Sequence, residues 1–222
     1  MKMNETISLS LARRPRGRPR SFDRDVALAR AMKVFWEKGY EGASMQDLLA
    51  AMELSSPSLY AAFGDKESLF VEAVQRYVAG VRQECECAEE HTARESIEWI
   101  LSELSGIFTD RSHPPGCLAI IAFMTASASS LKIQKLLAEQ RAETRARFRA
   151  ILERGMKKGE LPRGTDAAAL TDFYLAVVAG MSMQAREGAS RKALLAMVQT
   201  AMRAWPVAPA RPARRKAARA AA

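Results

Sequence analysis

The chain of 222 residues is 48% hydrophobic and 27% charged, with 12 glycines and 9 prolines, a balance that fits a mostly helical globule of one or two domains. Its longest apolar run, Cys117 to Ala126, falls far short of the ~20 residues that span a bilayer, and its first residues lack the order of a secretion signal. Three cysteines do not suggest a disulfide framework, so a reducing cytoplasm is the expected setting, and the formal net charge is +9.

That charge sits at the two ends. Residues 1–20 carry Lys2, Arg13, Arg14, Arg16, Arg18 and Arg20 against Glu5, and residues 206–222 carry Arg211, Arg214, Arg215, Lys216 and Arg219 with no acid. The segment 21–205 between them is nearly neutral. Both ends are too polar and too rich in Pro or Ala to bury a core, so each is expected to be a disordered basic arm. Such arms point to a polyanion, usually nucleic acid, although solubilising disorder is the plainer reading of the C-terminal one.

The body reads as all-α. Asp23 can cap a first helix to about Lys38, with Leu28, Met32, Phe35 and Trp36 on one face and Gly39 ending it. Ser44 and Asp47 approximate a capping box for a short helix to about Met52. Pro57 fits the first position of another short helix, with Ser56 as the expected N-cap and Ser55 the alternative, ending by Phe63. These two helices, joined near Glu53 and Leu54, make a helix-turn-helix candidate. Asp65 then caps a longer helix whose apolar side is Phe70, Val74, Tyr77, Val78 and Val81.

Five more helices are expected. Ile97, Ile100, Leu101, Leu104, Ile107 and Phe108 form one stripe. Cys117 to Met124 is apolar on every side, which predicts a helix buried all round. A long helix runs from about Leu131 to Met156 with one charged, solvated side. Residues 166–186 show two apolar faces, one of large residues and one of Ala176, Ala179, Gly180 and Met183. The last helix carries Leu194, Met197, Val198, Ala201 and Trp205.

Residues 21–81 resemble the DNA-binding domain of the TetR family of bacterial transcriptional repressors. The likeness rests on ALARAMKVFWEKGYEGASMQDLLAAM followed by LSSPSLYAAFGDKESLF, with Leu59, Tyr60, Phe63, Lys66 and Leu69 at the family's spacing. With the basic arm over 1–20 and the basic tail over 206–222 set apart by their charge, it implies a helix-turn-helix domain over 21–81 and an effector-binding and dimerisation domain over 82–205. It also implies a palindromic double-stranded DNA operator, a homodimer and a small-molecule effector. One departure is Glu53, which stands where the family's turn usually carries glycine; a left-handed backbone there costs about 1 kcal/mol.

Reading DNA needs small or polar groups at base edges and donors at phosphates. The exposed positions of the second short helix are expected to be Ser55, Ser56, Pro57, Ser58, Tyr60, Ala61 and Ala62, with no Arg, Asn or Gln for bidentate base contacts. The resemblance assigns Ser44, Tyr60 and Lys66 to phosphates and brings Gln46 near the DNA. Residues 21–66 carry five basic side chains against seven acidic ones, so the domain attracts DNA weakly by itself. Arg16, Arg18 and Arg20 are therefore expected to supply the grip, in a narrow extended segment suited to the minor groove.

Ala176, Ala179, Gly180 and Met183, with Leu194, Val198 and Trp205, are the expected dimer seam. Trp99, Phe108, Cys117, Ile120, Phe123, Met124, Phe148, Tyr174 and Met181 are candidate linings of an apolar pocket for a hydrophobic or aromatic effector. Cys85, Cys87 and Cys117 leave room for redox or metal sensing, although Cys85 and Cys87 point to opposite sides of a helix. A non-specific nucleoid-binding protein is the other alternative. With His91 and His113 its only histidines, the chain shows no catalytic constellation, and no enzyme activity, cofactor or metal is expected.

Overall fold

The computed structural model describes residues 22–85, 91–125 and 131–207. Arg16, Arg18, Arg20, Cys87 and the basic tail beyond Val207 lie outside the described residues. Among the described residues the chain is all-α: α1 (Arg24–Gly42), α2 (Met45–Met52), α3 (Ser56–Phe63), α4 (Lys66–Glu84), α5 (Ala93–Thr109), α6 (Leu118–Thr125), α7 (Leu131–Lys157), α8 (Ala167–Arg186) and α9 (Arg191–Met202). No helix among them is long and apolar enough to cross a membrane.

Local chemistry sets the helix ends. The Asp23 carboxylate accepts from the amides of Asp25 and Val26 at 2.8 and 3.1 Å, satisfying two orphan donors of α1. Gly39, at φ 71°, bends α1 after Lys38, a left-handed position that glycine takes without strain. The Ser44–Asp47 capping box forms, and Asp65 caps α4 through the Ser68 amide at 2.7 Å. Ser55, not Ser56, is the N-cap of α3. Pro57 tolerates any position in the first turn, and the chain uses that latitude to start the helix one residue earlier. Glu53 does take the left-handed conformation (φ 56°, ψ 42°), and its carboxylate meets Arg30 at 2.8 Å.

Two cores organise the molecule. The first is built on Phe35, Trp36, Leu48, Leu59, Phe63, Leu69 and Phe70 from α1 to α4, and it also takes Leu118, Ile121 and Ala122 of α6 and Ile133, Leu136 and Leu137 of α7. Each such large side chain contributes about 1.5–3 kcal/mol by leaving water. Helices α1 to α4 are therefore seated on α6 and α7, not free of them. The second core joins α5, the second half of α7, α8 and α9 around Phe108, Phe148, Tyr174 and Met181. Val81 and Cys117 touch both.

At the junction, α8 grips the other layer directly. The Arg186 guanidinium donates to the carbonyl oxygens of Trp36 and Glu37 at 3.2 and 3.3 Å, just before the bend at Gly39. The Cys117 amide donates to Ser182 Oγ at 2.8 Å. The His113 ring stacks on Trp36 at 4.2 Å, and Tyr77 meets the same indole edge-on at 4.7 Å.

Three expectations are corrected. The α6 helix is not buried all round, because Phe123 and Met124 are 51% and 60% exposed at its carboxyl end. The last helix stops at Met202, and Trp205 packs back from the turn that follows. Leu194, Val198 and Trp205 are buried inside the protomer's second core, so none of the three offers a free face to a partner.

Candidate nucleic-acid interface

The helix-turn-helix presents α3 with Ser55, Ser56, Pro57, Tyr60 and Ala61 exposed, Ser58 half-buried, and Leu59 and Phe63 in the core. The apolar pair locks α3 onto α1 and α4, which leaves the hydroxyls free to face a groove. Ser55 Oγ and Ser58 Oγ lie 2.9 Å apart, so each orients the other. Tyr60, 52% exposed, extends its phenol from the same helix.

Around this helix the cations are engaged. Arg24 pairs with Glu72 at 2.7 Å, reaches the Ala62 carbonyl at 3.3 Å and lies over the Phe63 ring at 4.4 Å. Arg30 pairs with Glu53 and Lys38 with Asp47. The Lys66 ammonium sits 4.5 Å above the Tyr40 ring. Burial first, then nearby Glu67, raises the Tyr40 phenol, so it stays neutral and able to donate at physiological pH. At the amino end of α2, Gln46 is exposed and Ser44 is held by Asp47. The Asp47 carboxyl is drawn down to about 2, first by its bond to Lys38 and then by its bonds to Ser44.

Arg24 also ties the start of α1 to its neighbour. Its contact with Ala62 brings the start of α1 against the carboxyl end of α3. Tyr40, Lys38 and Arg24 belong to the surface but were not among the candidate residues. Tyr40 was legible as the aromatic after Gly39, whereas the partners of Lys38 and Arg24 are 9 and 48 residues away.

The pocket candidates divide. Phe108, Phe148, Tyr174 and Met181 are buried together in the second core, Cys117 is half-buried against both cores, Ile120 is half-buried, and Trp99, Phe123 and Met124 face solvent. Arg141 covers the Phe123 ring at 3.7 Å. Two surface clefts of about 400 and 510 Å³ lie beside the start of α8 and in the turn after α7, and neither is lined by a candidate. The Tyr174 hydroxyl is buried without a hydrogen-bond partner, and burial pushes it up to about 12. Burial likewise raises the Cys117 thiol, which keeps it protonated and a slow nucleophile at neutral pH. Among the described residues no group of three His, Cys, Asp or Glu side chains could hold a metal ion.

A capped helix-turn-helix with a hydroxyl-rich second helix, joined to a larger all-helical domain, is the architecture of a DNA-binding transcriptional regulator. Residues 27–73 match the family model for bacterial regulatory proteins of the tetR family, and residues 93–205 match that of a tetracyclin repressor-like C-terminal domain. The chain belongs to the TetR family of DNA-binding transcriptional regulators, which are not enzymes.

It is 35% identical over 204 residues to the HTH-type transcriptional repressor ComR of Escherichia coli K12, covering 90% of this chain and 97% of that one. It is 28% identical over 184 residues to the repressor BdcR of the same organism, covering 81% and 87%. A cysteine variant of the regulator CifR, solved with 26-bp double-strand operator DNA, superposes with a TM-score of 0.79 at 44% identity, covering 86% of this chain and all of that one. The reduced form of E. coli NemR shares the fold, with a TM-score of 0.70 at 21% identity over 85% and 98% of the two chains.

Proposed function

We propose that this protein is a cytoplasmic repressor that binds a palindromic operator as a homodimer and is released by a small hydrophobic or aromatic effector. The observation that carries the DNA-reading part is the pairing of a hydroxyl-rich α3 with a domain whose cations are mostly tied to its own acids and rings. Such a surface reads shape and methyl groups well and attracts phosphate poorly, so it needs the arm. The start of α1 against the end of α3 supports an arm that leaves beside the reading helix, from where Arg16, Arg18 and Arg20 reach an adjacent minor groove. ComR and BdcR are named repressors, and CifR was solved on operator DNA, which favours the same role here.

The dimer seam is the outward side of α8, where Ala176 and Met183 are exposed and Ala179 and Gly180 half-buried. Small residues there let a partner helix approach closely, and the two reading helices would stand about 34–36 Å apart. The effector enters the second core beside Tyr174, whose unpartnered hydroxyl would bond an acceptor on an otherwise apolar molecule. Differential affinity for two spacings of the half-sites then releases the DNA.

Selection of bound sequences from a random duplex pool, followed by footprinting, tests this function. Two inverted half-sites about one helical turn apart are expected. A diffuse footprint with no enriched sequence would replace the reading with that of a nucleoid-binding protein.

A further inference from the structure

We propose that Lys38, and not Ser44, is the side chain that contacts phosphate at the amino end of α2. This rests on the DNA-reading function above and changes which donor performs it at this corner. The argument is an inventory of donors. Ser44 has one hydroxyl proton, which it gives to Asp47 Oδ2 at 2.7 Å, while its oxygen accepts the Asp47 amide at 3.0 Å. The same Asp47 oxygen accepts the Ser44 amide at 3.0 Å. A phosphate oxygen only accepts, so Ser44 can engage it only by withdrawing its hydroxyl proton from Asp47 Oδ2, a bond that lies outside the two amide contacts of the capping box.

Lys38 is differently placed. Its ammonium donates to Asp47 Oδ1 at 2.7 Å and has two further protons to offer. It is 42% exposed, so those protons reach solvent. It lies one carboxylate away from Ser44, on the edge where the first helix of a helix-turn-helix crosses the DNA backbone. Asp47 holds the long Lys38 side chain in one geometry before DNA arrives, so less side-chain freedom is lost on binding. Ser44 serves the cap of α2 and positions Asp47; Lys38 supplies the phosphate contact.

The test uses the full chain and an operator duplex enriched by the wild-type protein from a random pool. Dissociation constants of wild type, Lys38→Ala, Lys38→Arg and Ser44→Ala are measured by fluorescence anisotropy across a salt series, with a thermal melt of each variant. Lys38→Ala is expected to reduce the slope of log K against log salt by about 0.9 and to weaken binding about five-fold at physiological salt. Lys38→Arg should keep the slope, and Ser44→Ala should keep it while melting lower.

A Lys38 that only props α2 would lower the melting temperature of Lys38→Ala and leave its slope unchanged. That result, or a Ser44→Ala variant that remains folded at the assay temperature yet binds as weakly as Lys38→Ala, overturns the proposal. If the wild-type protein enriches no sequence, the regulator reading fails first and the assignment of Lys38 falls with it.

Discussion

Gly116→Ala probes the junction that joins the DNA-binding helices to α8. Gly116 has φ +85°, and a Cβ there would lie 2.8 Å from the Ser182 carbonyl oxygen and 3.1 Å from both Ser182 Oγ and Arg186 Cγ. The left-handed backbone costs alanine about 1–2 kcal/mol. Pressing a methyl against a carbonyl inside α8 adds about 1–3 kcal/mol, because that helix cannot yield like a flexible side-chain tip. The stiffer unfolded chain returns about 0.4–1 kcal/mol. The net loss is roughly 3 kcal/mol, which for a chain of this size lowers Tm by roughly 6–12 °C.

Circular dichroism melts measure that loss, with Gly159→Ala as the internal control. Gly159 has φ +76° and nothing within 4 Å of its would-be Cβ, so it carries the backbone strain alone and should lose less. Adding Ser182→Ala should not restore Gly116→Ala, since the nearest atom belongs to the backbone. A Gly116→Ala protein that melts with Gly159→Ala would refute the claim that α8 presses on this turn.

Other outcomes follow from the same contacts. Gly155→Ala puts a Cβ 2.4 Å from Ala93 Cβ, so α7 and α5 must part at a loss of about 1–3 kcal/mol, and Ala93→Gly in the same chain should recover most of it in thermal melts. Asp47 has a folded-state value depressed from 3.8 to about 2, so its stabilising bonds are fully present above the higher value and lost as pH falls to the lower. Acid titration of wild type and Asp47→Asn should therefore show a stability gap at neutral pH that closes between about pH 4 and pH 2. Cys117 and Cys85 should resist iodoacetamide in the native protein at pH 7 and react once urea exposes them, as read by peptide mass spectrometry. Equal rates in both states would revive thiol sensing at Cys117.

Much of this was legible in the sequence because it is local. Asp23, Ser44 and Asp65 cap their helices through amides two or three residues away, a relation that spacing alone displays. The resemblance marked Glu53 as standing where glycine is usual but left open whether the turn is left-handed; the structure makes it so, and its ion pair with Arg30 had no local signature. Stripes of apolar residues revealed which helices bury a face but not what covers it. Leu194 and Val198 could serve a dimer seam or a core equally well by periodicity, and the structure spends them on the core. The Phe123–Met124 end of α6 looked buried because nothing in its composition marks where neighbouring helices stop. The clamp of Arg186 on Trp36 spans 150 residues and has no local signature.

The central claim is that the domain reading the DNA borrows its electrostatic grip from the arm. The most direct measurement compares the salt dependence of operator binding for the full chain and for protein lacking residues 1–20. The removed segment holds Arg13, Arg14, Arg16, Arg18 and Arg20, and loss of three to five phosphate contacts reduces the slope of log K against log salt by about 3–4.5. A slope reduced by that amount, with weaker binding at physiological salt, is the predicted result. An unchanged slope and affinity would contradict the account and leave α3 and its paired cations to hold the DNA alone.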